Sequence, residues 1–251
     1  LLNIIKYNEA ELKNECYNGL PEDIPSLRAL IWKINFHYYP TDINKWKETI
    51  KMRRQEYLEI KDAILLRQKA EMQIFDELEK QKKEKNTEDD SINIDEESLS
   101  AIAENTDRLL LETIDKDVNR THINVDFFSK FVKEQAMVSK EEMEKMIEHK
   151  KNCTYQDYKI VYTKGRKENN IYNGETHSDV IARILYIYSK FNKDISYVQG
   201  MNEILAPIYY CYCIDSHLDI NNIEADTFWS FSNLMSEIKK MFSKENDNQQ
   251  G

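Results

Sequence analysis

The sequence predicts an all-α fold, and three observations carry that prediction. Glycine and proline number only 5 and 4 in 251 residues, too few for the many tight turns of an all-β fold. Apolar side chains recur at three- and four-residue intervals in several separate stretches, most strongly from Val180 to Phe191. With 41% hydrophobic and 32% charged residues, the chain has ample material for a buried core. One interrupted domain is expected.

The elements follow in order. Ile4 to Asn18 has helical spacing and stops at Gly19-Leu20-Pro21. A second helix is expected from about Pro25, with Leu27, Leu30, Ile31 and Ile34 turned inward, Pro25 and Ser26 supplying first-turn chemistry, and Pro40 ending it. A third runs from Trp46 to Tyr57. The stretch from about Lys61 to Asp107 changes character and is read as an insertion. Its KQKKEK part suits an exposed helix laced with opposite charges, and its acidic EDDSINIDEES part suits a flexible loop. Leu109 to about His149 reads as helical with a break at Arg120 to Asn124, and Ser139-Lys140-Glu141-Glu142 resembles an N-cap with an acidic first turn. Gly165 and Gly174 bracket a polar loop. After Ser178, Val180, Ile181, Ile184, Leu185, Ile187, Tyr188 and Phe191 mark a core helix, broken at Asn192 to Asp194. An apolar helix runs from about Gly200 to Ile214. The last spans Ala225 to Phe242, and its wide stripe of Phe228, Trp229, Phe231, Leu234, Met235, Ile238 and Phe242 needs a covering surface. No internal repeat is apparent.

Charge and composition exclude several classes of function. A net charge of −10 disfavours nucleic acid and anionic lipid, both of which require clustered Lys and Arg. A protein partner or a cationic substrate fits better. Cys16, Cys153, Cys211 and Cys213 form no pair of CxxC clusters, and they read as reduced thiols in a cytoplasmic protein. Cys211 and Cys213, in an aromatic run, read as buried hydrophobes. His37, His122, His149, His177 and His217 are scattered, with no HExxH and no nucleophile beside them, and read as structural, so no metal site is expected. No glycine loop suited to phosphate appears, so the chain is not expected to bind nucleotide itself. The start, Leu1-Leu2-Asn3, has neither an initiator Met nor a basic segment before an apolar run; the chain is read as a fragment without a secretory signal. The most apolar run, Ile204 to Ile214, is too short to span about 30 Å of hydrocarbon and contains Pro207, so no membrane insertion is expected.

Three short strings have the residue types for chemistry. In RALIW, Arg28 and Trp32 lie four apart on one helix face, which suits a cation–π pair or plain helix packing. In IDKDVNRT, Asp117 and Arg120 lie three apart. They could form a surface ion pair of little worth, or the carboxylate could hold a guanidinium fork presented to phosphate oxygens. In SYVQGMNE, Gly200 removes a side chain beside Gln199, so the backbone can approach another molecule and Gln199 can orient a water without titrating. A simple glycine-bearing connection between helices is the alternative.

Taken together and in this order, the strings resemble the fingerprint motifs R-x-x-x-W, I-x-x-D-x-x-R and Y-x-Q-G-M of the TBC domain, the family of Rab GTPase-activating proteins. Gly19-Leu20-Pro21 is similar to the family's entry to its first motif, and EADTFWSFSNLM to its next helix. The resemblance implies a helical domain of two lobes over 1–251, interrupted at 61–107, with the N-terminal lobe present. Family domains continue past the EADTFW helix, so the C-terminal lobe is expected to be truncated and, in the complete domain, to help cover Phe228, Trp229 and Phe231.

The same resemblance implies that Arg120 is an arginine finger and Gln199 a glutamine finger, both supplied in trans, with Asp117, Arg28, Trp32, Tyr197 and Gly200 in support. The partner implied is a Rab-type small GTPase in its GTP form. GTP and magnesium belong to that partner, so the chain has no cofactor of its own and is not a self-contained enzyme. It would be cytoplasmic, peripheral at endomembranes through the GTPase. The alternative is a noncatalytic scaffold of the same fold that binds a GTPase or another protein.

Overall fold

The computed structural model describes residues 9–21, 23–24, 26–84, 107, 109–121, 125–130, 132, 175–215 and 218–238. They form α1 (Glu9–Tyr17), α2 (Leu27–Asn35), α3 (Trp46–Glu84), α4 (109–118), α5 (His177–Phe191), α6 (Met201–Cys213) and α7 (Ile220–Ile238), with 3-10 turns at Ile43–Lys45 and Asp126–Ser129. No strand occurs among the described residues, as an all-α reading requires.

Helix α5 is the axis of the core. Thr176 and Asp179 close a capping box at its start: the Asp179 N–H donates to Thr176 Oγ1 at 3.3 Å, and the Thr176 N–H donates to Asp179 Oδ2 at 2.7 Å. Ile181, Ile184, Leu185, Tyr186 and Ile187 are wholly buried, because α3, α6 and α7 pack around the helix and Leu111, Ile114 and Val118 of α4 join the same cluster. Phe191, expected in the core, is 47% exposed; it sits past the last covered turn and only edges Phe228 and Trp229.

Helix α3 does not stop near Tyr57. Residues 58–84 contain no glycine or proline, so nothing ends the helix, and its 39 residues extend roughly 58 Å at about 1.5 Å each. Tyr57 and Gln68 are buried and Ile60 and Ile64 pack on the core, at the three- and four-residue spacing of one face. The first turns of the stretch read as an insertion therefore lie against the core. The acidic EDDSINIDEES loop, Ser139 to Glu142, Cys153, Gly165, Gly174, His122, His149, His217 and Phe242 lie outside the described residues.

The apolar stripe of α7 packs on α3, α5 and α6. Phe228, Phe231 and Met235 are fully buried, with Tyr57 4.9 Å from Phe228 and Tyr188 4.9 Å from Phe231 between ring centres. Trp229 donates from Nε1 to the Arg53 carbonyl at 2.6 Å while the Arg53 guanidinium lies 4.6 Å over its ring. Phe228 and Phe231 are thus covered within the described residues, by Tyr57 of α3 and Tyr188 of α5, and do not need a second lobe; Trp229 stays partly exposed. Each such side chain contributes about 1.5–3 kcal/mol by leaving water.

Local signals were also redirected. Ser26 does not cap α2: its backbone is left-handed (φ 64°) and its hydroxyl donates instead to Asp215, far along the chain. Helix α2 ends at Asn35 rather than Pro40 because the chain turns through a left-handed His37 (φ 52°). Gly19 ends α1 as expected, in a positive-φ conformation (94°) with its N–H on the Cys16 carbonyl at 3.0 Å. Helix α7 begins earlier than Ala225, where Asp219 accepts from both the backbone and the side chain of Asn222.

Two carboxylates, one buried and one partly exposed, fasten α7 to its neighbours. Asp226, fully buried, accepts from Lys33 Nζ of α2 at 2.5 Å, from the Tyr38 hydroxyl at 2.6 Å, and from Arg54 of α3 at 2.8 and 2.9 Å. Burial alone would raise its pKa, but the hydrogen bonds and charges of Arg54 and Lys33 outweigh that and hold the carboxyl below its usual range. Glu224 likewise meets Arg183 of α5 at 2.7 and 2.9 Å, Lys61 of α3 at 3.1 Å and the Tyr57 hydroxyl at 2.6 Å. Burial pushes against its ionisation, and the Arg183 and Lys61 charges overcome it, so the carboxyl sits at about 2. Asp226→Ala leaves Lys33 buried without its counter-charge and is expected to lower the urea-unfolding free energy by about 3–5 kcal/mol; a loss under about 1 kcal/mol would contradict this account of the hub.

Candidate functional site

The end of α4 tightens into a turn that carries Arg120. The Arg120 N–H bonds to the Asp117 carbonyl at 3.0 Å and the Thr121 N–H to that of Val118 at 3.1 Å, a three-residue pattern that narrows the last turn. The Arg120 side chain folds back over this end. Its Nε donates to the Lys116 carbonyl at 3.0 Å, satisfying one of the acceptors a helix C-terminus leaves open, and its Nη2 donates to Asp117 Oδ1 at 2.9 Å. Two of the guanidinium's five N–H groups are thereby used and the side chain is still 67% exposed, so its outer edge faces solvent.

Gln199 stands on the connection between α5 and α6. Asn192 closes α5 by accepting from the N–H groups of Ile195 at 3.2 Å and Ser196 at 2.8 Å. The chain then passes through two left-handed residues, Ser196 (φ 57°) and Gly200 (φ 99°), before α6 begins. No heavy atom lies within 4 Å of the position a Gly200 Cβ would take, so the glycine is required by the backbone angle and not by local crowding. Gln199, immediately before it, is exposed.

A buried polar joint connects these two segments. Asp117 is only 5% exposed and splits its carboxylate: Oδ1 takes Arg120, and Oδ2 accepts from the Tyr197 hydroxyl at 2.7 Å. Burial, and then the bond to Asp117 and its charge, raise the Tyr197 hydroxyl pKa far above normal, so this proton stays in place at any physiological pH. Asn202 of α6 is also buried, and its Nδ2 lies 2.6 Å from Thr121 Oγ1, 3.3 Å from the Asp117 carbonyl and 3.1 Å from Glu203 Oε1. The structure therefore brings Asp117, Arg120, Tyr197 and the Gln199–Gly200 loop into one cluster.

Arg28 and Trp32 are not part of it. They line an open cleft of about 530 Å³ between α2 and the far end of α6, together with Ile24, Pro207, Tyr210 and Asp215. Six or more residues of α6 separate that cleft from Gly200, or about 9 Å along the axis. Trp32 edges Phe36 at 5.8 Å there.

The other candidates are structural. His177 is buried, stacked 4.0 Å from Phe127 and bonded through Nδ1 to the Tyr209 hydroxyl at 2.8 Å; burial, then the Lys130 charge, lower its pKa to about 4, leaving it neutral at pH 7. His37 lies on the surface, 3.1 Å from Glu237. Burial raises the Cys211 and Cys213 thiols to about 11 and about 12, the opposite of a reactive cysteine. Among the described residues no group of His, Cys, Asp and Glu could hold a metal ion, and no helix is long and apolar enough to cross a membrane.

Residues 128–250 match the family described as the Rab-GTPase-TBC domain. Mouse TBC1 domain family member 13 is 30% identical over 265 residues, covering 96% of this chain and 64% of that protein. Over nearly all of its length the chain is similar to proteins of the TBC-domain family. The GTPase-activating protein GYP7 of Candida glabrata shares 37% identity over 65 residues, 26% of the chain and 8% of that protein. The crystal structure of the Ypt/Rab-GAP domain of Gyp1p has the same fold, with a TM-score of 0.54 at 16% identity over 97% of this chain and 56% of that one. The chain thus spans less than two-thirds of each of these proteins. Arg120 precedes the matched family span and Gln199 lies within it.

Two residues of the cluster carry no motif in the sequence, Asn202 and Thr121. The available signal was polarity out of place: Asn202 is in the inward register of the apolar run MNEILAPIYY, and Thr121 directly follows Arg120. Tyr197→Phe strips the buried Asp117 oxygen of its donor and is expected to cost about 1–3 kcal/mol in urea unfolding; an unchanged midpoint would show that this bond contributes nothing.

Proposed function

We propose that this TBC domain accelerates GTP hydrolysis by a Rab-type small GTPase in its GTP form, with Arg120 and Gln199 entering the partner's nucleotide site together. The observation that supports the reading best is the divided Asp117 carboxylate, which ties the Arg120 turn and the Gln199 loop to one buried anchor while both side chains stay exposed. The names of the relatives are consistent with it: a GTPase-activating protein in one case and a Ypt/Rab-GAP domain in another.

In this reading all covalent chemistry occurs on the partner's GTP, with the partner's own magnesium. Arg120 offers the N–H groups not bound to Lys116 and Asp117 to the charge that develops on the phosphoryl oxygens, a task suited to a planar, permanently charged fork. Gln199 holds the attacking water through its amide, which both donates and accepts and does not titrate. The chain reaches membranes through its lipid-anchored partner.

The test is GTP hydrolysis by a panel of Rab proteins in the presence of the chain and of a version extended at the C-terminus. Arg120→Ala is expected to remove about 10³- to 10⁵-fold of stimulation, and Gln199→Ala to lower it sharply with little change in fold. Binding of a GTP-loaded Rab without stimulation by any form would favour the noncatalytic scaffold instead.

A further inference from the structure

We infer that Asn202 is a positioning residue, holding the Arg120 turn and the Gln199 loop in register; its catalytic consequence rests on the function proposed above. The amide spans the joint with both of its ends. On one side Oδ1 faces the Tyr197 hydroxyl at 3.2 Å. On the other, Nδ2 meets Thr121 Oγ1 at 2.6 Å, the Asp117 carbonyl at 3.3 Å and Glu203 Oε1 at 3.1 Å.

Counting protons ranks these contacts. Tyr197 has one hydroxyl hydrogen, and the 2.7 Å approach to Asp117 claims it over the 3.2 Å approach to Asn202. Nδ2 has two hydrogens for three acceptors, so the short contact to Thr121 takes one and the other is shared. The Thr121 hydroxyl passes its own hydrogen on to the Asp117 carbonyl at 3.0 Å. Asn202 thus grips the backbone of the turn that carries Arg120, through Thr121, from the first turn of the helix that follows Gln199.

Only an amide fits this place. An aspartate would set a second carboxylate facing the Asp117 carbonyl and Glu203, and a leucine would leave the Thr121 hydroxyl oxygen without its donor inside a buried site. Since Asn202 is buried in the chain itself, its part is to aim other side chains and not to touch the nucleotide. The same logic makes the Thr121 hydroxyl, rather than its methyl, the other half of the grip.

Two readouts test this on the full chain. First, with a responsive Rab, Asn202→Leu and Thr121→Val should each lower kcat for stimulated hydrolysis by about 10- to 10²-fold, the penalty for a misplaced catalytic group, with KM changed less than about 3-fold. Thr121→Ser should retain activity. In an Arg120→Ala background Asn202→Leu should cost less than about 2-fold more, because residues that act as a unit are not additive. An equal loss in both backgrounds, or a loss confined to KM, would overturn the positioning role. Second, and without any GTPase, the Arg120 Nε–H resonance should move to the position of solvent-exposed arginines in Asn202→Leu and Thr121→Val but not in Thr121→Ser. An unchanged resonance in Asn202→Leu overturns the inference even if Arg120→Ala abolishes stimulation. A shifted resonance in a chain that stimulates no Rab overturns the functional reading and upholds the joint.

Discussion

A single buried carboxylate, divided between two partners, sets the geometry of the site. Asp117 is surrounded by α4, the Tyr197 segment and α6, and neither of its oxygens can lose its donor without leaving a buried acceptor empty. A surface ion pair at the same sequence spacing would contribute almost nothing. What differs is the burial of one member only: Asp117 is anchored in the protein while Arg120 reaches past it into solvent. An exposed guanidinium with a fixed base loses little further freedom on meeting a phosphate, which is how preorganisation acts in a charge-stabilising site.

That joint is only as rigid as the helices that carry it, and these are fastened by the same device used more heavily. Glu224 and Asp226 lie two residues apart on α7, and so face different neighbours: Glu224 collects α5 and α3, Asp226 collects α2 and α3. Burying two ionised carboxylates costs several kcal/mol each, and here tight, multiple hydrogen bonds to arginine and lysine offset that cost. The partners sit on separate helices, so satisfying both carboxylates at once specifies how α2, α3, α5 and α7 are arranged. Lys33 shows the consequence: a lysine within the apolar face of α2 is buried because Asp226 waits for it.

Helical periodicity made most of the fold readable, and its failures have specific causes. The α5, α6 and α7 stretches were visible because their apolar residues repeat without interruption. Helix α3 was cut short because its charges dominate a composition argument, although Tyr57, Ile60, Ile64 and Gln68 keep to one face. Ser26 looked like a cap, but its hydroxyl is taken by Asp215, a partner 189 residues away in sequence. The site was legible where its contacts are local, as with Asp117 and Arg120 in one turn. It was illegible where they join segments about 80 residues apart, as with Asn202 and Thr121, since no local pattern encodes such pairing. Arg28 and Trp32 matched a motif yet lie at a different place, because a motif marks residues of a fold without saying which of them meet.

The central claim, that Arg120 and Gln199 act together on a partner's phosphate, is tested most directly with a Rab holding GDP and aluminium fluoride, a planar mimic of the phosphoryl group in flight. The account predicts tight binding of the chain that requires the fluoride, weakened strongly by Arg120→Ala and by Gln199→Ala. Equal affinity with and without fluoride, untouched by either substitution, would contradict it.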